Sequence, residues 1–226
     1  MPTSVPGMSV DRQCASGLMA FMIAAGRIQN EEINIAVAGG VESISLVQNE
    51  YANSYKTNDP WLVEHLPSIY MNMIETAEIV AKRYGVSREA QDEYAVISHT
   101  RTANAIKKGY FDQELAALTT IKTVVDAEKK QTFKVPITLE YDEGLREGTN
   151  LESLQKLKPV LKNGQEIKVG SFITAGNASQ LSDGASASVI MDSDAAKKLD
   201  IEPLGIFHGI SVSGCDPDEM GIGSVF

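Results

Sequence analysis

One cysteine in this sequence sits where chemistry is expected. It lies in Ser9-Val10-Asp11-Arg12-Gln13-Cys14-Ala15-Ser16-Gly17-Leu18-Met19-Ala20, where a polar approach turns into a run of small and apolar residues continuing to Ile28. The pattern predicts a largely buried helix over residues 14–29 with Cys14 in its first turn and Asp11 able to cap. Backbone N–H groups without intrahelical partners and the positive end of the helix dipole gather there. Both favour the thiolate, the nucleophilic form of cysteine. The competing reading is a buried structural cysteine behaving as a small hydrophobe.

Other groups able to do chemistry are few. Cys215 and the three histidines, His65, His99 and His208, are scattered and show no metal-ligand spacing, so no metal site is expected. Two distant cysteines are no disulfide framework and point to a reducing compartment. The formal net charge of −10 argues against nucleic acid or an anionic membrane as the main partner, though a local basic patch is enough for an anionic ligand. No basic start followed by an apolar stretch marks a secretory signal, and no apolar run is long enough to span a bilayer. The expectation is a cytoplasmic protein. With 226 residues, 43% apolar and 22% charged, the chain is of ordinary globular composition and long enough for one large or two smaller domains.

The elements that must hold these residues follow from periodicity and caps. A helix over 14–29 is followed by a strand over 33–38 that stops at Gly39-Gly40, a grammar of layered α/β folds. Residues 48–67 read as an irregular, partly aromatic loop. Helices are predicted over 74–84, closed by Gly85, and over 88–108, closed by Gly109. Alternation over 119–139 predicts two strand arms around a charged turn at 126–131. A short helix over 151–157, a buried strand over 187–191, a helix over 192–199 and a last strand over 204–212 complete the reading.

Two stretches carry a resemblance. Arg12-Gln13-Cys14-Ala15-Ser16-Gly17, with Gly39-Gly40-Val41-Glu42-Ser43 behind it, looks like the nucleophile region of the thiolases. Thr174-Ala175-Gly176-Asn177-Ala178-Ser179, followed by Asp183-Gly184-Ala185, resembles the thioester-binding loop of the same family. The resemblance implies a layered α/β thiolase-like fold, incomplete, with an inserted loop domain. On that template residues 1–44 are part of the N-terminal half with the nucleophile helix, and 45–175 are the inserted loop domain. Residues 176–203 return to the N-terminal half, and 204–226 start the C-terminal half. The chain is thus expected to be an internal fragment, lacking the start of the N-terminal half and most of the C-terminal half.

The chemistry implied is acyl transfer through a cysteine thioester. Cys14 takes an acyl group from one coenzyme A thioester; the α carbon of a second then attacks to give a 3-ketoacyl-CoA, and thiolysis is the reverse. No permanently bound cofactor is implied, since the coenzyme A thioesters are substrates. The family's contacts to coenzyme A carry over onto Arg146 at the nucleotide end, onto Ala175, Ala178 and Ser179 beside the pantetheine arm, and onto Met73 in the tunnel. The partner implied is an acyl-CoA, with a homo-oligomer, dimer or tetramer, as the assembly.

The family also uses a histidine in Gly-His-Pro, a cysteine in Cys-x-Gly and an Asn-Glu-x-Phe segment, and none of these occurs in the sequence. Impaired catalysis is therefore expected. Two other functions stay open: a non-catalytic remnant that binds coenzyme A thioesters or a partner subunit, and a cysteine hydrolase pairing Cys14 with one of the histidines.

Overall fold

The computed structural model describes residues 1–126 and 131–225. Residues 127–130, the centre of the predicted charged turn, lie outside the described residues, as does Phe226. In chain order the elements are α1 (Ser16–Gln29), β1 (Ile35–Glu42), α2 (Ile44–Val47), α3 (Pro60–His65), a 3-10 turn at Pro67–Tyr70, α4 (Met73–Tyr84), α5 (Arg88–Lys107), β2 (Leu118–Asp126), β3 (Gln131–Leu139), α6 (Leu151–Gln155), β4 (Gly184–Met191), α7 (Ser193–Lys198) and a 3-10 segment at Pro217–Val225. They fall into two compact units. The first comprises Met1–Thr57 and Leu181–Gly214, and the second Asn58–Gln180 and Cys215–Phe226.

In the first unit β1 pairs antiparallel with β4, in a register running from Ile35 opposite Met191 to Glu42 opposite Gly184. Helix α1 packs on both strands. The buried residues are small, Ala25, Ala38 and Ala196, which lets helices and strands approach closely. The predicted stop at Gly39-Gly40 is not a stop: β1 begins at Ile35 and runs through both glycines. Gly39 is required by packing rather than by a turn, because a Cβ there would overlap the carbonyl oxygen of Ser186 on β4. Nothing lies within 4 Å of a Cβ built on Gly40. Gly39→Ala should therefore cost about 1–3 kcal/mol in denaturant unfolding, the usual range for forcing atoms into a closed space. Gly40→Ala, measured beside it, should unfold close to the parent.

Two further strand expectations are corrected. The sequence predicts a buried strand at 187–191, yet Val189 on β4 is exposed, as are Val37 and Val41 on β1. Among the described residues this sheet has two strands, so one layer of side chains has no sheet or helix over it. Residues 204–212 form no strand; apolar alternation there meets no neighbouring strand to take up its backbone hydrogen bonds. Asp183 marks where the chain re-enters this unit. Its carboxylate accepts hydrogen bonds from the Ser45 hydroxyl and, at 3.0 Å, from the Ser45 N–H, and the hydroxyl bond foremost holds its pKa below the ordinary value.

The second unit is built on α4 and α5. Asn72 caps α4 by accepting from Glu75 N–H (3.0 Å), and Gly85, at φ 68°, ends it in the left-handed conformation that carries no Cβ penalty in glycine. Ser87 caps α5 through Ala90 N–H, and Gly109, again at φ 68°, follows its end. The stretch 48–67 is not irregular throughout. Asp59 accepts from Trp61 N–H and Leu62 N–H, and Pro60 takes the first helical position, so α3 forms. Strands β2 and β3 make an antiparallel hairpin with Leu118 opposite Leu139 and Asp126 opposite Gln131. The 3-10 segment at Pro217–Val225 packs on α4, where Arg83 bridges Asp218 (2.7 Å) and Glu219 (2.5 Å).

The core of this unit contains carboxylates. Met71, Ile79, Ala81, Leu154, Leu161 and Ile173 are buried, and so are Glu75, Glu78 and Asp92. Glu75 and Glu78 lie on one face of α4, and each is wrapped by a turn of backbone. Glu75 accepts N–H bonds from Gln165 (2.8 Å), Glu166 (2.6 Å) and Ile167 (2.9 Å). Glu78 accepts from Ser171 (2.9 Å), Phe172 (3.0 Å) and Ile173 (2.7 Å). The wrapping is close enough to demand glycine twice. A Cβ on Gly164 would lie 2.6 Å from the Glu75 carboxyl carbon, and one on Gly170 2.6 Å from Glu78 Oε1.

Candidate functional site

Cys14 stands ahead of α1, not within it. The helix starts at Ser16 with Ala15 as its cap, and Cys14 is exposed. The polar residues before it build a tight turn instead. Asp11 Oδ1 accepts from Gln13 N–H (2.9 Å), so Asp11 caps this turn rather than the helix. Ser16 Oγ accepts from Arg12 N–H (2.8 Å) and donates to the Gln13 carbonyl (2.6 Å). Ala15 N–H closes onto the Arg12 carbonyl at 3.1 Å. Gln13 is left at φ 51°, in the left-handed region a non-glycine residue rarely occupies. Such a residue costs on the order of 1 kcal/mol and persists only where its surroundings impose it, a pattern frequent beside reactive groups. The result is a thiol held out at the tip of a strained turn in the first unit.

The second unit carries a groove of about 480 Å³. One wall is α6 and its exit, with Ser153, Leu154 and Leu157; the other is the turn holding Ala175, Gly176, Ala178 and Ser179. Arg146, Thr149 and His99 line the rest. Four of the five residues drawn from the coenzyme A resemblance, Arg146, Ala175, Ala178 and Ser179, thus meet in one groove. Met73 does not line it and lies exposed on the first turn of α4.

Local sequence explains both walls. Asn150 caps α6 reciprocally with Ser153, accepting from Ser153 N–H at 3.0 Å. Gly148, at φ 76°, turns the chain ahead of it. Thr149 Oγ1 donates to the Arg146 carbonyl (2.7 Å), which fixes the Arg146 backbone beside the groove. The opposite turn ties itself together: Thr174 N–H donates to Asn177 Oδ1 (2.8 Å), Gly176 N–H to Thr174 Oγ1 (3.2 Å) and Ala178 N–H to the Thr174 carbonyl (3.1 Å). Gly176 has no room for a side chain, since a Cβ would lie 2.5 Å from Leu154 and 2.6 Å from Leu157.

His99 is a lining residue that the sequence reads as merely structural. Its Nδ1 accepts from Arg146 N–H at 3.5 Å. The available signal was its position within α5. His65 has a local role: it stacks on Trp61 with ring centroids 4.3 Å apart, and its Nδ1 lies 2.8 Å from the Trp61 carbonyl. Among the described residues no group of His, Cys, Asp and Glu has the geometry to hold a metal ion, and no helix is long and apolar enough to cross a membrane.

Comparison with known proteins agrees with this architecture. The family model described as "Thiolase, N-terminal domain" matches residues 1–194. The chain is 39% identical over 225 residues to a 3-ketoacyl-CoA thiolase of Bacillus subtilis, covering 100% of this chain and 55% of that protein. It is 41% identical over 226 residues to the human peroxisomal 3-ketoacyl-CoA thiolase, covering 100% of this chain and 50% of the relative. Among solved structures, human mitochondrial 3-ketoacyl-CoA thiolase superimposes with a TM-score of 0.74 at 35% identity, over 98% of this chain and 55% of that one. The Bacillus anthracis acetyl-CoA acetyltransferase gives a TM-score of 0.75 at 36% identity, over 98% and 55%. This chain belongs to the thiolase family and has part of its α/β fold. It spans about half the length of the curated relatives it matches.

Proposed function

We propose that the chain is the acyl-carrying part of a thiolase-type acyltransferase that forms or cleaves 3-ketoacyl-CoA, acetoacetyl-CoA among them. Cys14 Sγ, as thiolate, attacks the thioester carbonyl, and coenzyme A leaves as its thiolate. The α carbon of a second acetyl-CoA, having lost a proton, then attacks the acyl-cysteine carbonyl. The carbon–sulfur bond to Cys14 breaks and 3-ketoacyl-CoA departs; thiolysis runs the same steps backward. The groove of Arg146, Ala175, Ala178 and Ser179 takes the coenzyme A, with the arginine toward its phosphates and the small residues along the pantetheine arm.

The observation that carries this reading is the convergence of two separate stretches, Arg146 and the Ala175–Ser179 turn, on one groove. The strained turn under Cys14 supports the nucleophile, and relatives that carry thiolase and acetyltransferase names support the reaction class. In this reading residues 45–175 are the insertion between parts of the N-terminal half, with 204–226 opening the next half. The groups expected to activate Cys14 do not occur in its sequence, so turnover by this chain alone is slow: loss of an oxyanion hole by itself removes about 10²–10³ in rate. A homo-oligomer in a reducing compartment, the cytoplasm, completes the proposal.

A second reading is a binder of coenzyme A thioesters without turnover. It is favoured by one feature: every residue lining the groove belongs to the second unit, so binding needs no contribution from Cys14. Mass spectrometry after incubation with acetyl-CoA separates the two. The acyltransferase reading expects an acetyl adduct on Cys14, none on Cys215 and none in Cys14→Ala. An unmodified Cys14 in a chain that still binds acetyl-CoA by calorimetry leaves the binder.

A further inference from the structure

We propose that Asp92 and Asn177, together with Arg88, are positioning residues that set the separation of the two groove walls; this rests on reading the groove as the coenzyme A site. None of the three lines the groove. They lie behind it, and Asp92 is fully buried.

The single carboxylate of Asp92 reaches both walls. Its Oδ2 accepts from Arg88 Nε at 2.8 Å, and Arg88 Nη2 donates onward to the carbonyls of Leu154 (2.7 Å) and Leu157 (3.2 Å), the α6 wall. Its Oδ1 accepts from Asn177 Nδ2 at 3.0 Å. Asn177 belongs to the opposite wall. Its Nδ2 also donates to the Phe172 carbonyl (2.9 Å), and its Oδ1 accepts Thr174 N–H (2.8 Å). Each wall is therefore anchored to the same side chain, itself fixed to the rigid helix α5. The walls also touch below the groove, at Gly176 against Leu154 and Leu157. A shift of the hub is transmitted to both sides because a packed interior does not yield gradually.

The chemistry of the pair supplies the test. Asn177→Asp removes the donor and sets a second carboxylate against Asp92. Asp92→Asn turns the arginine's charged acceptor into a neutral amide whose oxygen serves Arg88 or Asn177, not both. The swap D92N/N177D rebuilds the link in reverse. The amide oxygen introduced at position 92 accepts from Arg88, while the amide nitrogen beside it donates to the carboxylate introduced at position 177. That carboxylate still accepts Thr174 N–H, but the Phe172 carbonyl, which took its hydrogen bond from Asn177 Nδ2, loses its donor. Net charge is unchanged.

Coenzyme A titration by calorimetry, with hydrogen exchange at the Ile173 and Ala178 amides, is read on the parent and all three variants. Each single change is expected to weaken coenzyme A binding by about 10–100-fold, the range for losing a buried hydrogen bond to a charged group, and to speed exchange at both amides. The swap, which restores the link between positions 92 and 177 but not the bond to the Phe172 carbonyl, is expected to regain part of both. Single variants that bind and exchange like the parent overturn the proposal, as does a swap no better than either single. Should one single variant fail to fold, a swap that folds and binds coenzyme A more tightly than the other single upholds the proposal, and one that does not overturns it. If the parent binds no coenzyme A, the reading of the groove fails, and exchange alone decides the hub: protection lost in the singles and regained in the swap upholds it, unchanged protection rejects it.

Discussion

Glu78→Ala is expected to remove much of the second unit's stability. The side chain is 1% exposed and holds the N–H groups of Ser171, Phe172 and Ile173. Deleting it strands the buried Ile173 N–H and leaves those of half-buried Phe172 and exposed Ser171 to water. One unsatisfied buried donor costs about 1–3 kcal/mol, so a loss of that order is expected. Domain stabilities are commonly only about 5–15 kcal/mol, so the variant should unfold at lower urea. Glu78→Gln is the informative comparison. It keeps the shape, but its amide group points an N–H at a backbone N–H, so it should recover only part of the loss. Urea unfolding followed by Trp61 fluorescence, from the chain's one tryptophan in this same unit, reads both variants. Parent-like midpoints for Glu78→Ala would show that the turn at 171–173 holds without its carboxylate.

Acid should weaken the same unit through Glu75. Burial pushes its pKa up, but the N–H groups of Ile167, Gln165 and Glu166, with Lys168 nearby, outweigh burial and hold it below the ordinary value of 4.5. The sign follows from linkage. A carboxyl whose pKa is depressed by folding contributes stability above its unfolded pKa and loses it as pH falls through its folded pKa. Stability should thus be level near neutral pH and decline once pH drops below about 4.5. Glu75→Gln, which has no proton to bind, should be less stable at neutral pH and show a shallower decline. Unfolding midpoints at a series of pH values check this, and parallel slopes for parent and variant would refute the assignment to Glu75.

These carboxylates mark the limit of what the sequence discloses. Helices α4 and α5 were legible because their ends are local: Gly85 and Gly109 announce themselves, and Ser87 sits where a cap belongs. Nothing local marks the glutamates of α4 as buried acceptors, since their partners lie 90 to 95 residues away in sequence. The pair Gly164 and Gly170 was the available hint, as glycine permits backbone to close around another group. Gly39-Gly40 misled for the same reason. A glycine admits both a turn and a close strand approach, and only the position of Ser186 decides between them. The groove residues were found through motif likeness, whereas His99, Asp92 and Asn177 act through distant contacts that no local pattern encodes. The sequence puts Cys14 in the first turn of a buried helix, whereas it stands exposed just ahead of that helix. Small apolar residues after it signalled the helix, while the turn depends on Gln13 adopting a left-handed backbone, which its residue type does not announce.

The pairing of β1 with β4 also has a temporal side. The clasp at its end joins Ser45 to Asp183, 138 residues later. On a ribosome adding about 5–20 residues per second, the first strand waits roughly 7–28 s for its neighbour to emerge. Through that interval β1 has no β4 to take up its backbone hydrogen bonds, and an unpaired strand edge is open to pairing with other chains. Most of the second unit is made meanwhile. Order of synthesis thus gives the segment between β1 and β4 time to fold before the strand that pairs with β1 exists.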